Sequence, residues 1–597
     1  MKERTEMLVE PFTLKIAGNV FPLQPKKIKR WLQALPLGNM GETTRQLLEA
    51  IKTLNGRVMP PADRFEVMEL MHPSLHLVLD HLERHFINRS LPLPPRSLQI
   101  AHVAEELQAE SSAAYLRVIR DARGLKRHGL SSRHLANAIY QGMRSLSAQQ
   151  LHAARLYLPV PIGTWQAMHE LLVEAERHNL LHHPVTDDQL KVNTPERAYL
   201  QAALLALAAP LTLRQGESDL LYHHFETQSA LCNISRDALP DNAGMLYTIN
   251  LCRDAPPEYV AQDELDDPEQ SRFLQITPLI RQLRDMVRTG NTQLLNSDLT
   301  HRVLVALTNT SRRRFSRAGQ SGEIDVATGL NSIYQCVSQK MQAQLGNGDH
   351  AQDGYPSLSL QEIDGIPSAT EQGMSVHYLA DIPRDTGSEA WDTVARGNLL
   401  TNGNHFSDNG FDESRQPGLI PQPWSLVDTS AGGFRLRWKK PQAGRAQVGE
   451  LLGLRDHDGT RVRWQLGVVR WMMFHPETGL EIGVQILAPR SLPVTIKRSR
   501  RRIAHGAALE GLVSPTIQVL QQPASLFCPA GVFQAGEEVA VNLAGRALPV
   551  ILTHKMAFSS RFEQFSYEPA PDDRKAGTAG TAGDERSATT DIPWSSI

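Results

Sequence analysis

Cysteine is scarce. The four cysteines of this 597-residue chain, Cys232, Cys252, Cys336 and Cys528, lie far apart and form no CxxC pair. That spacing argues against a disulfide scaffold or a zinc ribbon and leaves buried free thiols as the expectation. Net charge is also wanting: 62 Lys and Arg stand against 64 Asp and Glu, a formal −2. No chain-wide field draws nucleic acid or an anionic membrane, so any anion site is local. Aromatic residues make up only 6%, few for a protein that stacks single-stranded bases. Long apolar runs are missing too. The longest, Tyr199 to Leu213, is broken by Gln201 and Pro210, falls short of the ~20 residues of a membrane span, and reads as a buried helix. The opening MKERTEMLVEPF has acidic residues where an export signal carries its apolar segment, so a cytoplasmic protein is expected.

The chain does have apolar material for several cores, with 41% hydrophobic against 21% charged residues, in a length that suggests roughly four domains. From Pro25 to Ala209 the pattern is helical. Leu47, Leu48, Ile51 and Leu54 recur at spacings of three and four before Gly56, and similar segments follow near 64–86, 97–122, 133–146, 164–179 and 195–207, as in an antiparallel helical array. After Pro210, LTLRQ, ALCNISR and LYTINLCR read as strands. Two helices follow, the second with Asp298 as N-cap and Leu299, Val303 and Leu307 on one face. Residues 345–422 are rich in Gly, Asp, Asn, Ser and Pro, as in a mobile insertion. Alternating segments from WSLVDTS onward read as antiparallel strands. The fold class expected is multidomain α+β. It divides into a helical domain (1–210), a small mixed module (211–302), an antiparallel β-barrel interrupted by the insertion (303–502), a small β unit (503–570) and a disordered tail (571–597).

Enzyme signatures fail one by one. His169-Glu170 opens like HExxH, but Val173 stands where the second ligand belongs, so a solvated or capped histidine is expected. His178 and His182 share a helix face without a third ligand. Gly346–Ala351 spells G-x-G-x-x-A but follows a helical stretch instead of a strand, and reads as a loop. No GxxxxGK[ST] or GxSxG occurs. No catalytic residue, metal ligand or cofactor is assigned.

Two arginine clusters stand against the neutral average: Ser311–Arg317 (SRRRFSR) and Lys497–Arg502 (KRSRRR). Close-set guanidiniums repel one another, so they lie solvated or face an anion. Asp428-Thr429-Ser430-Ala431-Gly432-Gly433 adds a polar strand end with two glycines, which lets a backbone approach a flat ligand closely. Arg313-x-x-x-Arg317 with Asp428-x-Ser430-x-x-Gly433, before strands such as GVVRW and EIGVQIL, resembles the PilZ domain family of cyclic di-GMP receptors. The resemblance covers about 312–337 and 423–490. It implies a six-stranded barrel in which Arg313 and Arg317 grip phosphate and guanine, while Asp428, Ser430 and Gly433 position a guanine base. The chemistry agrees: an arginine fork donates two hydrogen bonds to phosphate or to guanine O6 and N7, and a carboxylate accepts from the guanine N1–H and N2–H₂ edge.

Arg317 and Asp428 stand farther apart than the family's motifs usually do. The expectation is therefore that Glu323–Gly329 forms the first strand, that a helix (GLNSIYQCVSQKM) follows, and that the insertion returns to WSLVDTS. Loop-closure entropy grows only logarithmically with length, so such an insertion need not destroy a barrel. Arg498-x-x-x-Arg502 also spells RxxxR but has no Asp-x-Ser-x-x-Gly partner after it, and ranks below Arg313 and Arg317. The reading is a non-enzymatic receptor whose helical platform engages an unidentified protein. Its rivals are a scaffold with a degenerate barrel and, further behind, a nucleic-acid binder using the basic runs.

Overall fold

The computed structural model describes residues 25–570, except 124, 126–128, 187–191, 239–244, 263–266, 268, 291–294, 309–317, 347–420, 431, 441–445, 457–463, 501–502, 516–522, 544–545 and 560. The chain divides into two compact units: residues 1–312 with 440–444 and 473–478, and the remainder.

The first unit begins with helices α1 (Pro25–Gln33), α2 (Met40–Asn55), α3 (Pro61–Glu83), α4 (Pro95–Ala122), α5 (Ser132–Arg155), α6 (Thr164–Arg177), α7 (Pro195–Leu207) and α8 (Glu217–Gln228). The two-residue strands β1 (Val185–Thr186) and β2 (Val192–Asn193) pair between α6 and α7. Local chemistry sets the starts. Proline occupies the first turn of α3, α4 and α7, where its missing N–H costs nothing. The side chains of Asn39 and Ser131 accept from the amides of Glu42 and His134, each satisfying an otherwise orphaned donor. The three-and-four spacing buries Leu47, Ile51 and Leu54 completely, and α7 is the buried helix read from Tyr199 onward.

Several expectations need correction. LTLRQ is no strand: Pro210–Thr212 form a 3₁₀ turn, and the Glu217 carboxylate accepts from the Arg214 amide at 2.6 Å, shaping the entry to α8. Of the two alternatives for His169, solvated or capped, the buried ring takes the second: its Nε2 donates to the Ala255 carbonyl at 3.1 Å and its Nδ1 accepts from the Tyr199 hydroxyl at 3.0 Å. His178 and His182 approach Glu174 and Glu196. Cys252 is exposed and Cys336 half-buried, so only Cys232 and Cys528 are buried thiols.

Strands β3 (Asn233–Ser235), β4 (Met245–Asn250), β5 (Glu258–Ala261) and β6 (Ser271–Gln275) form one antiparallel sheet in the order β3-β6-β4-β5. Arg272 of β6 reaches Glu176 of α6 at 2.8 Å, tying sheet to helices. Helices α9 (Thr277–Thr289) and α10 (Ser297–Thr308) follow. The cap of α10 is Asn296, whose Oδ1 accepts from the Leu299 amide at 2.7 Å. Asp298 instead meets Arg214 at 2.8 Å and Arg302 at 3.1 Å, while Arg302 also reaches Glu217 at 2.5 Å. The Tyr247 hydroxyl donates to the Leu307 carbonyl at 2.6 Å, so α10 is held to the unit at both ends.

The second unit holds two closed six-stranded barrels. The first comprises β7 (Ala318–Thr328), β8 (Gln422–Ser430), β9 (Gly433–Trp438), β10 (Leu451–Asp456), β11 (Gln465–His475) and β12 (Gly479–Ala488), with α11 (Leu330–Gly346) after β7. The second comprises β13 (Leu492–Arg500), β14 (Ile503–Ser514), β15 (Ser525–Pro529), β16 (Glu538–Leu543), β17 (Arg546–Phe558) and β18 (Phe562–Pro569). Around each, the order is first, second, third, sixth, fifth, fourth: β7-β8-β9-β12-β11-β10 and β13-β14-β15-β18-β17-β16. The C-terminal β unit expected over 503–570 is thus a closed barrel that already begins at Leu492, with the same strand order as the first. Where the second barrel turns directly from β13 into β14, the first inserts α11 and the long segment before β8. Most of that expected insertion, residues 347–420, and the tail 571–597 lie outside the described residues. Leu330, Ile333 and Val337 of α11 share one buried cluster with Leu451 and Trp464 of the first barrel and Leu512, Phe527 and Phe562 of the second.

Among the described residues, no helix is long and apolar enough to cross a membrane. No group of three or more His, Cys, Asp or Glu there is placed to hold a metal ion.

Candidate ligand-binding face of the first barrel

Strand periodicity orients the β8–β9 hairpin. Trp424, Leu426, Leu436 and Trp438 are buried, and the Trp424 and Trp438 rings meet at 5.2 Å inside the barrel. Residues alternating with Leu436 and Trp438 therefore face outward: Gly433, Arg435 and Arg437. A register shift between Leu426 and Asp428 sets Asp428 opposite Arg435 and Ser430 opposite Gly433, which brings Asp428 and Ser430 to the same outer face. The Ser430 hydroxyl donates to the Gly433 carbonyl at 3.3 Å, closing the turn.

Gly433 has a reason of its own. A Cβ there would stand 1.9 Å from the Val484 carbonyl oxygen, well inside contact distance. The space freed by the missing side chain is taken by the neighbouring strand β12, which pairs Val484 with Phe434 and Gln485 with Gly433.

Next to the hairpin lies a charge cluster that the sequence reading did not identify. Glu481 of β12, 1% exposed, accepts from Arg435 Nε at 2.9 Å and from Arg437 Nε at 2.8 Å. Burial pushes its carboxyl up, but the bonds from Arg435 and Arg437 outweigh that and hold it below the usual carboxylate range. Arg435 also turns Nη1 toward Asp428 Oδ2, at 3.7 Å, and its guanidinium lies 5.9 Å from the Trp471 ring centroid. The period-2 alternation of GFRLRW places both arginines on Gly433's face and could have flagged them. Nothing local in the sequence points to Glu481 as their partner.

Asp428, Ser430 and Gly433 are thus brought together on one hairpin. Arg313 and Arg317 lie outside the described residues. Arg498 lies within β13 of the second barrel, where its Nη2 donates to the Val532 carbonyl at 2.7 Å and its Nε approaches Glu537 at 3.2 Å. It therefore occupies the first strand of its barrel, whereas Arg313 and Arg317 precede theirs. Arg502 is outside the described residues.

Comparison with known proteins gives three matches in order along the chain, the second of which begins within the first compact unit. Residues 26–240 match the family described as cyclic-di-GMP receptor FimW, N-terminal domain; residues 246–493 match its middle PilZ domain; residues 494–570 match its C-terminal beta-barrel domain. The cyclic-di-GMP receptor FimW of Pseudomonas aeruginosa is 27% identical over 585 residues, covering 92% of this chain and 90% of that protein. No solved structure matches the chain. With its helical region, its hairpin-bearing middle barrel and its second barrel all matched in order, the chain belongs to the three-domain FimW family built around a PilZ domain.

Proposed function

We propose that this protein is a cytoplasmic cyclic di-GMP receptor, binding the dinucleotide on the outer face of the first barrel without turning it over. One observation carries the reading. Strand β7 begins at Ala318, the residue after Arg317, and Ala318 is the register partner of Thr429, between Asp428 and Ser430. Arg317 is thus joined by one peptide bond to a residue paired with the Asp428 hairpin, which supports a site shared by the two motifs. Arg313 and Arg317 grip phosphate and guanine, Asp428 accepts from the guanine N1–H and N2–H₂ edge, and Ser430 and Gly433 shape the surface beneath. Each charge-assisted bond contributes about 1.5–3 kcal/mol. The P. aeruginosa relative, named as a cyclic-di-GMP receptor, supports the same ligand.

The same segment joins α10 of the first unit to β7 of the second, and α10 is held by Arg302, Asp298 and the Tyr247 hydroxyl. Ligand capture neutralises the mutual repulsion of the arginines, which biases the helical platform toward its partner protein. The bias is as large as the ligand's differential affinity for the two arrangements.

Titration calorimetry with cyclic di-GMP tests the receptor reading, with GTP as control and the Arg313→Ala/Arg317→Ala variant alongside. Saturable binding lost in the variant is expected. A folded wild-type protein that takes up no cyclic di-GMP would leave the barrel as a scaffold.

A further inference from the structure

One end of the second barrel opens on apolar and aromatic side chains. Leu492 opens β13, Leu543 closes β16 and Leu548 lies near the start of β17. With Tyr567 of β18 they rim a shallow mouth, whose floor includes Val494, Val513 and Val541. That floor is buried, whereas the three leucines and Tyr567 are half-buried. A barrel interior that reaches the surface on leucines leaves apolar area in water, as docking sites do. The chain leaves the barrel at this same rim. Tyr567 pairs with Leu552 and Pro569 with Val550, and the Ala570 amide donates to the carbonyl of Pro549, next to Leu548, at 3.0 Å. The sequence beyond reads as a spacer and an anchor. Residues 572–591 hold no Val, Leu, Ile, Met, Phe, Tyr or Trp, and then Ile592, Pro593, Trp594 and Ile597 follow close together. Arg546, exposed at the start of β17, adds a cation to the rim, and Asp591 directly precedes Ile592.

We propose that the mouth of the second barrel is a peptide-docking site, and that its occupant is this chain's own segment Asp591–Ile597, seated through Ile592 and Trp594. Three arguments converge. The spacer is long enough: 572–591 reaches up to about 65 Å when extended, and a Gly-rich coil of that length averages about 25 Å end to end. Because the spacer starts at the rim, the anchor is held near the mouth at an effective concentration in the millimolar range. A weak apolar contact is then enough to keep it seated. The anchor also suits the surface. A shallow leucine rim has no room to swallow a ligand, but an indole lays a large apolar area across such a rim while its N–H stays at the wet edge. Charge agrees with this placement, since Asp591 arrives beside Arg546 when Ile592 reaches the rim. The proposal is independent of nucleotide binding at the first barrel.

Amide hydrogen exchange across 541–550, the strand ends that form the rim, tests this in the full-length protein. Exchange there should be several-fold faster in Ile592→Ser/Trp594→Ser than in wild type, with the far end of the barrel unchanged. A synthetic peptide of residues 588–597, added at millimolar concentration, should restore the wild-type rate. Adding Leu548→Asp to the double variant should abolish that rescue. Equal rates in wild type and the double variant would overturn the proposal, leaving the mouth bare or covered by another part of the molecule. So would faster exchange that the peptide fails to reverse. A wild-type rate that varies with protein concentration would place the segment on a second copy and overturn docking within one chain. Should Leu548→Asp not fold, the double variant and its rescue decide alone.

Discussion

At the scale of single residues, the motif's members divide by what holds them. Gly433 answers to the fold: the Val484 carbonyl occupies the place of its Cβ, so the glycine is required whether or not a ligand is present. Asp428 and Ser430 answer to no packing need of that kind and are placed outward by the register shift beside them. A different constraint acts in the helical unit. His152 is 2% exposed, packs edge-on against Phe86 at 5.2 Å, and neither ring nitrogen finds a hydrogen-bond partner. Burial, with Arg155 and His102 adding to it, pushes its pKa down to about 4 from 6.5. The unfolded chain therefore binds a proton that the folded one does not between these values, so this contribution to stability is whole above pH 6.5. It is lost as pH falls toward 4, by up to about 3 kcal/mol. Denaturant unfolding at pH 7 and pH 5 checks this: His152→Leu should lose less stability on acidification than wild type, and equal losses would rule the account out.

At the scale of elements, α11 packs against both barrels through one buried cluster. Ile333 is fully buried in the cluster that both barrels share, and it touches the place where a Cβ on Gly453 would stand, at 3.1 Å. Ile333→Ala removes contacts from both barrels at once and should cost about 2–5 kcal/mol, lowering both barrels' unfolding temperature in a single calorimetric transition. Loss of one barrel's transition alone would mean that the cluster does not unite them. A second tie joins the barrels: Arg561, between β17 and β18, reaches the buried Glu450 at 2.7 Å. These elements were legible in the sequence to different degrees. The helices follow from spacings such as Leu47, Ile51 and Leu54, and the β8–β9 hairpin from alternation around two glycines. The sequence around α8 was misleading, because LTLRQ alternates like a strand while the Glu217 side chain caps a helix entry there. The Arg435–Glu481–Arg437 cluster was illegible, since it depends on β9 pairing with β12 and neither strand names the other.

At the scale of the whole molecule, residues 309–317 are the only direct link in sequence order between the α10 end of the first unit and the first strand of the second. That link carries Arg312, Arg313, Arg314 and Arg317, each a site for trypsin. Cyclic di-GMP held by Arg313 and Arg317 should slow cleavage within 309–317 several-fold at saturation, as read by the peptides released. Cleavage there at an unchanged rate, with ligand bound, would uncouple capture from the helical unit. Net charge near zero also means that any salt dependence of ligand affinity comes from this local cluster, screened over about 8–10 Å at ordinary ionic strength.

The long passage between β7 and β8 sets the order in which the molecule can be built. Asp325 of β7 lies in register with Arg455 of β10, and their side chains meet although 130 positions separate them. In the second barrel the corresponding pair, β13 with β16, sets Thr495 opposite Asn542, only 47 positions on. Distant pairing forms slowly, because the loop must close before any contact repays it. On a growing chain, β7 therefore emerges with its hydrogen-bonding edges unsatisfied and must stay so until β8 and β10 have been made. An exposed edge is the form in which strands join the wrong neighbour, so the interval before closure is when this protein is most exposed to aggregation and chaperone capture.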